Sequence, residues 1–203
     1  MHRTGTCRRL ALSGLLLVTV SRLAGADDAR FVRLDGNGNP LAEMRAGVSW
    51  PCVLDRRSGL VWEVKTLQPG LHHRERTFTW YQPDAARNGG AAGDPGMAAC
   101  RNPPCNTHAL VESVNRLGWC GAHDWRLPSR EELRSLVDYS VPYPGPTVDT
   151  AYFPNTRAQF YWSATPSADD ADEAWGIGFA FGFDYAYFKG DRVHLRLVRT
   201  ARP

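Results

Sequence analysis

The chain has 203 residues, with 24 lysines and arginines against 21 aspartates and glutamates, 43% hydrophobic and 22% charged. That composition belongs to one globular domain and is too apolar for a disordered chain. Residues 1–26 hold four of the basic residues and none of the acidic ones, which leaves 20 against 21 and a net charge of −1 for the remainder; nucleic-acid binding, which needs a concentrated basic surface to release phosphate counterions, loses its compositional support.

Residues 1–26 read as a secretory signal. Arg3, Arg8 and Arg9 precede the apolar run Leu10 to Val20, and Ala24-Gly25-Ala26 offers the small residues of a cleavage site. The expected mature chain is therefore a single domain over 27–203. The apolar run is too short to cross a bilayer, which takes about 20 residues, and no other stretch approaches that length. No retained membrane segment is expected.

Phe31 to Leu34 is the first strand candidate, followed by the turn cluster Asp35-Gly36-Asn37-Gly38-Asn39-Pro40. Asp35, Asn37 and Asn39 imitate a calcium loop, but Pro40 stands where its glycine belongs and Ala46 where its bidentate glutamate belongs, so a plain turn is expected. Cys52 to Asp55, the turn Arg56-Arg57-Ser58-Gly59 and Leu60 to Val64 predict a hairpin, with Leu60 and Trp62 on one face and Val61 and Glu63 on the other. Residues 66–106 are punctuated by glycine and proline and predict a long excursion with one extended piece, Thr77 to Tyr81. Arg74 and Arg76 stand there beside His72, His73, Trp80 and Tyr81, a mixture of cations and rings suited to an anionic sugar or an acidic partner.

Asn106 or Thr107 can cap a helix over 107–117, with Leu110, Val111, Val114 and Leu117 as its buried stripe and Gly118 as its stop. Trp125-Arg126-Leu127 then reads as extended, because Pro128 drives the residue before it out of helical geometry. Ser129 and Glu132 have capping-box spacing for a second helix over 129–137, burying Leu133, Leu136 and Val137. From Phe160 the chain turns to strands. Trp175, Ile177, Phe179 and Phe181 alternate with Ala174, Gly176, Gly178, Ala180 and Gly182, so a helix or another sheet layer is expected close against the small face. In the last strand Val193, Leu195 and Leu197 face one way and Arg192, His194 and Arg196 the other, forming a basic row.

Cys52, Cys100, Cys105 and Cys120 remain after processing, an even number that predicts two disulfides in an oxidising compartment. A helix over 107–117 rises about 1.5 Å per residue, too far for the return from Leu117 to bring Cys120 back to Cys105. Cys52–Cys120 with Cys100–Cys105 is expected, with Cys52–Cys100 and Cys105–Cys120 as the alternative. A zinc site from Cys100, Cys105, Cys120 and His123 is a weaker alternative, since the paired Cys-x-x-Cys spacing is missing. Hydrolase, metalloprotease and nucleotide-loop motifs are absent.

The run CGAHDWRLPSREELRSLVD at 120–138 is preceded by DRRSGLVWEVKT. YFPNT, FYWSATP, AWGIGF and a closing LRLVR follow it. Together they resemble the Lcl C-terminal domain family, named for the end domain of the Legionella collagen-like adhesin, from about Phe31 to Arg199. The resemblance implies an exported or surface-displayed α+β domain of C-type-lectin-like architecture: a mixed sheet, two helices and a C-terminal antiparallel meander. It also implies a motif shared in style with formylglycine-generating enzyme, Trp125-Arg126-Leu127-Pro128 leading into an acidic helix. The collagen-like Gly-X-Y repeat of the adhesin, the Glu-Pro-Asn sugar motif of the lectins and the late cysteine pair of the formylglycine enzymes are all missing, so their trimerisation, calcium-dependent sugar binding and oxidation are not carried over.

The functional expectation is a non-enzymatic binding domain without metal or cofactor, adhesin-like, taking an anionic (sulfated) glycan or a cell-envelope partner. Candidate contacts are Arg192, His194 and Arg196, with Arg74 and Arg76 as a second group. Two other classes stand beside it: a structural component of a surface assembly that presents its aromatic face to another protein, and an enzyme on the formylglycine-enzyme-like scaffold. A cleft gathering Glu63, His123 and Asp124 would mark the last.

Overall fold

The computed structural model describes residues 29–41, 48–96 and 104–202. The expected signal segment and Cys100 lie outside them. Within them the chain forms β1 (Phe31–Leu34), β2 (Cys52–Asp55), β3 (Leu60–Glu63), α1 (Thr107–Leu117), α2 (Arg130–Arg134), β4 (Phe160–Pro166), β5 (Glu173–Gly178), β6 (Phe183–Phe188), β7 (His194–Leu195) and β8 (Val198–Thr200). This is an α+β fold with two four-stranded sheets, ordered β1-β2-β3-β8 and β6-β5-β4-β7. The first is antiparallel throughout. In the second, β4, β5 and β6 make the expected antiparallel meander, and β7 joins it parallel to β4.

Alternation along the central strands sends side chains into two cores. Val61 and Cys52 enter a cluster with Trp80, Leu110, Val114, Trp125 and Trp162; Trp62 and Val53 enter another with Leu133, Phe153, Tyr161 and Ile177. Both clusters draw on both sheets. All four β3 residues are buried, because core covers the strand on each side.

The helices follow their sequence signals at their starts. Asn106 caps α1 by accepting from the Ala109 N–H at 2.8 Å, and Gly118 ends it with φ 68°. Leu117, the last residue of α1, departs from the expected stripe and is 68% exposed. Ser129 and Glu132 form the capping box of α2, and Leu133 and Leu136 are buried as expected. The helix is shorter than 129–137: Leu136 and Val137 donate back to Leu133 and Arg134, three residues earlier, and the last turn tightens into a loop.

The Trp-Arg-Leu-Pro segment is the joint between the sheets. Arg126 exchanges both backbone hydrogen bonds with Val198 of β8 at 2.9 Å, and the Pro128 carbonyl accepts from Ala164 of β4 at 2.7 Å. Trp125 is buried and donates its indole N–H to the Trp119 carbonyl at 2.7 Å. Arg126 grips Glu132 through two nitrogens, each 2.7 Å from a carboxylate oxygen, and this hydrogen bonding holds the Glu132 carboxyl below its usual range against the effect of burial. The motif is thereby tied to both sheets and to the start of α2.

Cys52 and Cys120 are bonded, joining β2 to the turn after α1 across 68 residues. That pairing overturns the alternative connectivity, and it removes Cys120 from the zinc set. Cys105 is also disulfide-bonded. Three or more metal-ligating side chains do not gather anywhere among the described residues.

On the small face of β5, Ala174 is buried in the first core cluster as expected, while the glycines beyond it meet the flanking strands. Gly178 lies opposite Phe160 of β4 and Phe183 of β6, and a Cβ there would stand 2.8 Å from the Phe160 ring. Gly176 lies opposite Tyr185. The Phe160 ring covers Gly178, and Phe183 and Tyr185 of β6 remain exposed.

Candidate functional site

The long excursion reaches the end of the chain through one antiparallel bridge: Phe78 donates to Val193 at 2.9 Å and accepts from it at 3.1 Å. This lays residues 76–78 along residues 192–194 and collects cations that are far apart in sequence. Arg192 donates to the Thr77 carbonyl at 2.6 Å, and His194 Nδ1 lies 3.1 Å from the Arg76 carbonyl. Arg76 donates to the Pro104 carbonyl and stands over the Phe78 ring at 5.2 Å. Neither Arg76 nor Arg192 has a carboxylate within salt-bridge distance among the described residues. Burial first, and then the neighbouring Arg192 charge, lowers the Arg76 pKa. Adjacent guanidiniums held by main-chain carbonyls keep an unneutralised field toward solvent.

Arg74 lies next to this pair but is engaged, with Nε 2.9 Å from Glu75. The same Glu75 meets Arg157 at 3.4 Å. Arg157 is a cation that sequence reasoning missed; it follows YFPNT, and no periodicity linked it to residue 75. His194 is half-buried beside Tyr161, and burial pushes its pKa below the ordinary histidine value.

Arg196 is not part of the exposed row, and that expectation is corrected here. It is fully buried, donating to the Glu63 carbonyl at 3.0 Å and to Thr156 Oγ1 at 2.6 Å, with its guanidinium 4.7 Å from the Phe153 centroid. Simple alternation fails because residues 196–197 carry the chain from one sheet to the other, so both faces of this segment are inside.

Behind the cationic edge is a buried ion network. Glu63 Oε1 accepts from Lys65 at 2.8 Å and from His72 Nδ1 at 2.7 Å, and Oε2 accepts from the Leu197 N–H at 2.9 Å. Burial, the largest effect, raises the Glu63 pKa, but the Lys65 charge and the His72 hydrogen bond outweigh it and hold the carboxyl at about 2. Lys65 moves downward too, because burial exceeds the attraction of its single carboxylate. The pair thus stabilises its anion better than its cation, as the geometry requires: three donors surround the carboxylate and one acceptor meets the ammonium. His72 stacks on Trp119, with centroids 3.7 Å apart, in the wall of a cleft of about 620 Å³ that Trp50, Pro154 and Asn155 also line.

Glu63, His123 and Asp124 do not come together. Asp124 pairs with Arg199 at 2.6 Å, and His123 Nδ1 lies 2.5 Å from the Asn115 carbonyl. Each has a structural partner instead.

A second surface feature is a run of rings at the other end of the β6 sheet. Tyr143 stacks on Phe181 at 4.5 Å and Phe181 on Phe183 at 5.4 Å; Phe160, Tyr185 and Tyr187 continue the contact.

The class defined here is an α+β domain with a disulfide-tied hairpin, a Trp-Arg-Leu-Pro joint and a closing Leu-Arg-Leu-Val-Arg segment that passes from β7 to β8. The Lcl C-terminal domain family matches residues 51–199, and the chain belongs to that family. None of the curated proteins matches the chain. No helix among the described residues is long and apolar enough to cross a membrane.

Proposed function

We propose that this chain is an exported, adhesin-like binding domain of C-type-lectin-like architecture, without enzymatic activity, whose cationic edge recognises an anionic, sulfated glycan. The reading is carried by one observation: Arg76 and Arg192 stand side by side without a carboxylate partner among the described residues. Arg157 and Arg74 extend the edge, tempered by Glu75. Family membership supports a surface-binding role, and the Cys52–Cys120 bond supports an oxidising compartment. His194 meets the Arg76 backbone carbonyl, and burial holds its pKa below the ordinary histidine value.

The test is retention of the mature protein on immobilised heparin across a salt gradient. Wild type is retained at low ionic strength and elutes as screening shortens the reach of the charges; Arg76→Ala/Arg192→Ala elutes at clearly lower salt, while Arg196→Lys changes stability and not retention. Flow-through of wild type in about 50 mM salt, or equal retention of the double variant, refutes the proposal.

A further inference from the structure

Strand β6 is an edge. It pairs with β5 on one side, in an unbroken register from Glu173 opposite Phe188 to Gly178 opposite Phe183. Among the described residues no other segment bonds to the backbone of 183–187. The outer side therefore offers a row of unpaired N–H and C=O groups, and the group that satisfies such a row is another extended strand.

Natural edges carry lysines, prolines or bulges that discourage pairing. The β6 sequence, Phe-Asp-Tyr-Ala-Tyr-Phe, has none of these. Its one charge, Asp184, faces Arg130 and Arg134 of α2 at 3.5 and 3.8 Å and is turned from the ring-bearing face. Phe183 and Tyr185 are 47% and 56% exposed, and Tyr185 and Tyr187 contact one another at 4.9 Å on the face above the β5 glycines. Exposed rings, free backbone and no like-charge barrier coincide on one strand.

We propose that β6 is a self-association edge, at which two copies of this chain pair antiparallel about a two-fold axis through Tyr185. The residue pattern selects both the partner and the register. Phe183, Tyr185 and Tyr187 are symmetric about Tyr185, so Tyr185 falls opposite the partner's Tyr185 and Phe183 opposite the partner's Tyr187. Side chains directly opposite share a face, so the two ring rows merge into one. A slip by one residue would set Tyr185 against the partner's Ala186 and throw the rings onto opposite faces. The contact uses the same patch on both copies and closes at two. With a net charge of −1 after residue 26, the copies do not repel strongly. Pairing also presents two cationic edges on one particle, a source of avidity. The proposal does not depend on what the cationic edge binds.

Sedimentation equilibrium of the mature protein from about 1 to about 100 µM reads the association directly. The expected result is a reversible monomer–dimer equilibrium, weakened at least about tenfold in Tyr185→Lys, where two ammonium groups would face each other. Tyr185→Cys should form an intermolecular disulfide on mild oxidation, because directly opposite Cα atoms lie about 4.5–5.5 Å apart, and Ala186→Cys should not. Unchanged circular dichroism in the Tyr185 variants shows that they fold. A wild-type monomer throughout the range, a dimer indifferent to Tyr185→Lys, or cross-linking through residue 186 in place of 185 overturns the proposal.

Discussion

Replacing Glu63 by glutamine tests whether the buried ion network holds the two sheets together. The carboxylate receives Lys65 at 2.8 Å, His72 at 2.7 Å and the Leu197 N–H at 2.9 Å, and both the Glu63 and Lys65 side chains are 0% exposed. Glutamine has the same shape but brings one acceptor oxygen and one donor group to a place with three donors. Either orientation leaves a donor facing a donor and Lys65 without a counter-charge. Breaking a buried pair in this way costs about 3–5 kcal/mol. The pH dependence separates this account from simple packing loss. The unfolded carboxyl titrates near 4.5 and the folded one at about 2, so between those values the unfolded state binds more protons and stability rises with pH. The contribution of Glu63 is present above the unfolded pKa and is lost as pH falls through the folded one. About 2 kcal/mol of the gap between wild type and Glu63→Gln therefore closes between pH 7 and pH 3. Urea unfolding followed by tryptophan fluorescence at pH 7, 5 and 3 measures the gap. A gap under about 1 kcal/mol at pH 7, or one that stays constant with pH, refutes the reasoning. Glu63→Leu/Lys65→Met should recover much of the loss, since apolar replacement of a buried pair removes both desolvation penalties together.

The Cys52–Cys120 bond closes a separation of 68 residues; in the chain-entropy account its removal in Cys52→Ala/Cys120→Ala costs about 4 kcal/mol, and a urea midpoint equal to that of the unreduced wild type would contradict that account. Gly121 has φ +66°, and a Cβ there would stand 2.5 Å from the Asn37 carbonyl oxygen. Gly121→Ala should lower stability by about 2 kcal/mol or more, seen as a fall in Tm of several degrees; an unchanged Tm would show that the turn can rearrange.

What could be read in advance was local. Asn106, Gly118, Ser129 and Glu132 act within four residues of themselves, so cap chemistry located both helix starts and the end of α1. The hairpin of β2 and β3 was equally legible, because its turn joins strands whose two-residue alternation survives burial on both faces. The end of α2 was not legible: Leu136 and Val137 continue the apolar spacing, and the tighter turn that follows depends on Asp138 donating its N–H to Thr147, a contact across nine residues.

The candidate site shows the same division more sharply. Arg192 and Arg196 carry equal weight in a period-two pattern, yet one is exposed and the other fully buried. The difference arises where the chain crosses between sheets: beyond Leu195 the alternation no longer has a solvent side, and Arg196 turns to Glu63, Thr156 and Phe153. Arg76 and Arg192 are adjacent because Phe78 bridges Val193, a pairing between isolated residues that no strand-length pattern announces. A substitution at residue 196 should therefore read out as stability and one at residue 192 as ligand affinity. A heparin-elution shift from Arg196→Lys as large as that from Arg192→Ala would mean that the two arginines do share a face, and the account of the crossing would have to be abandoned.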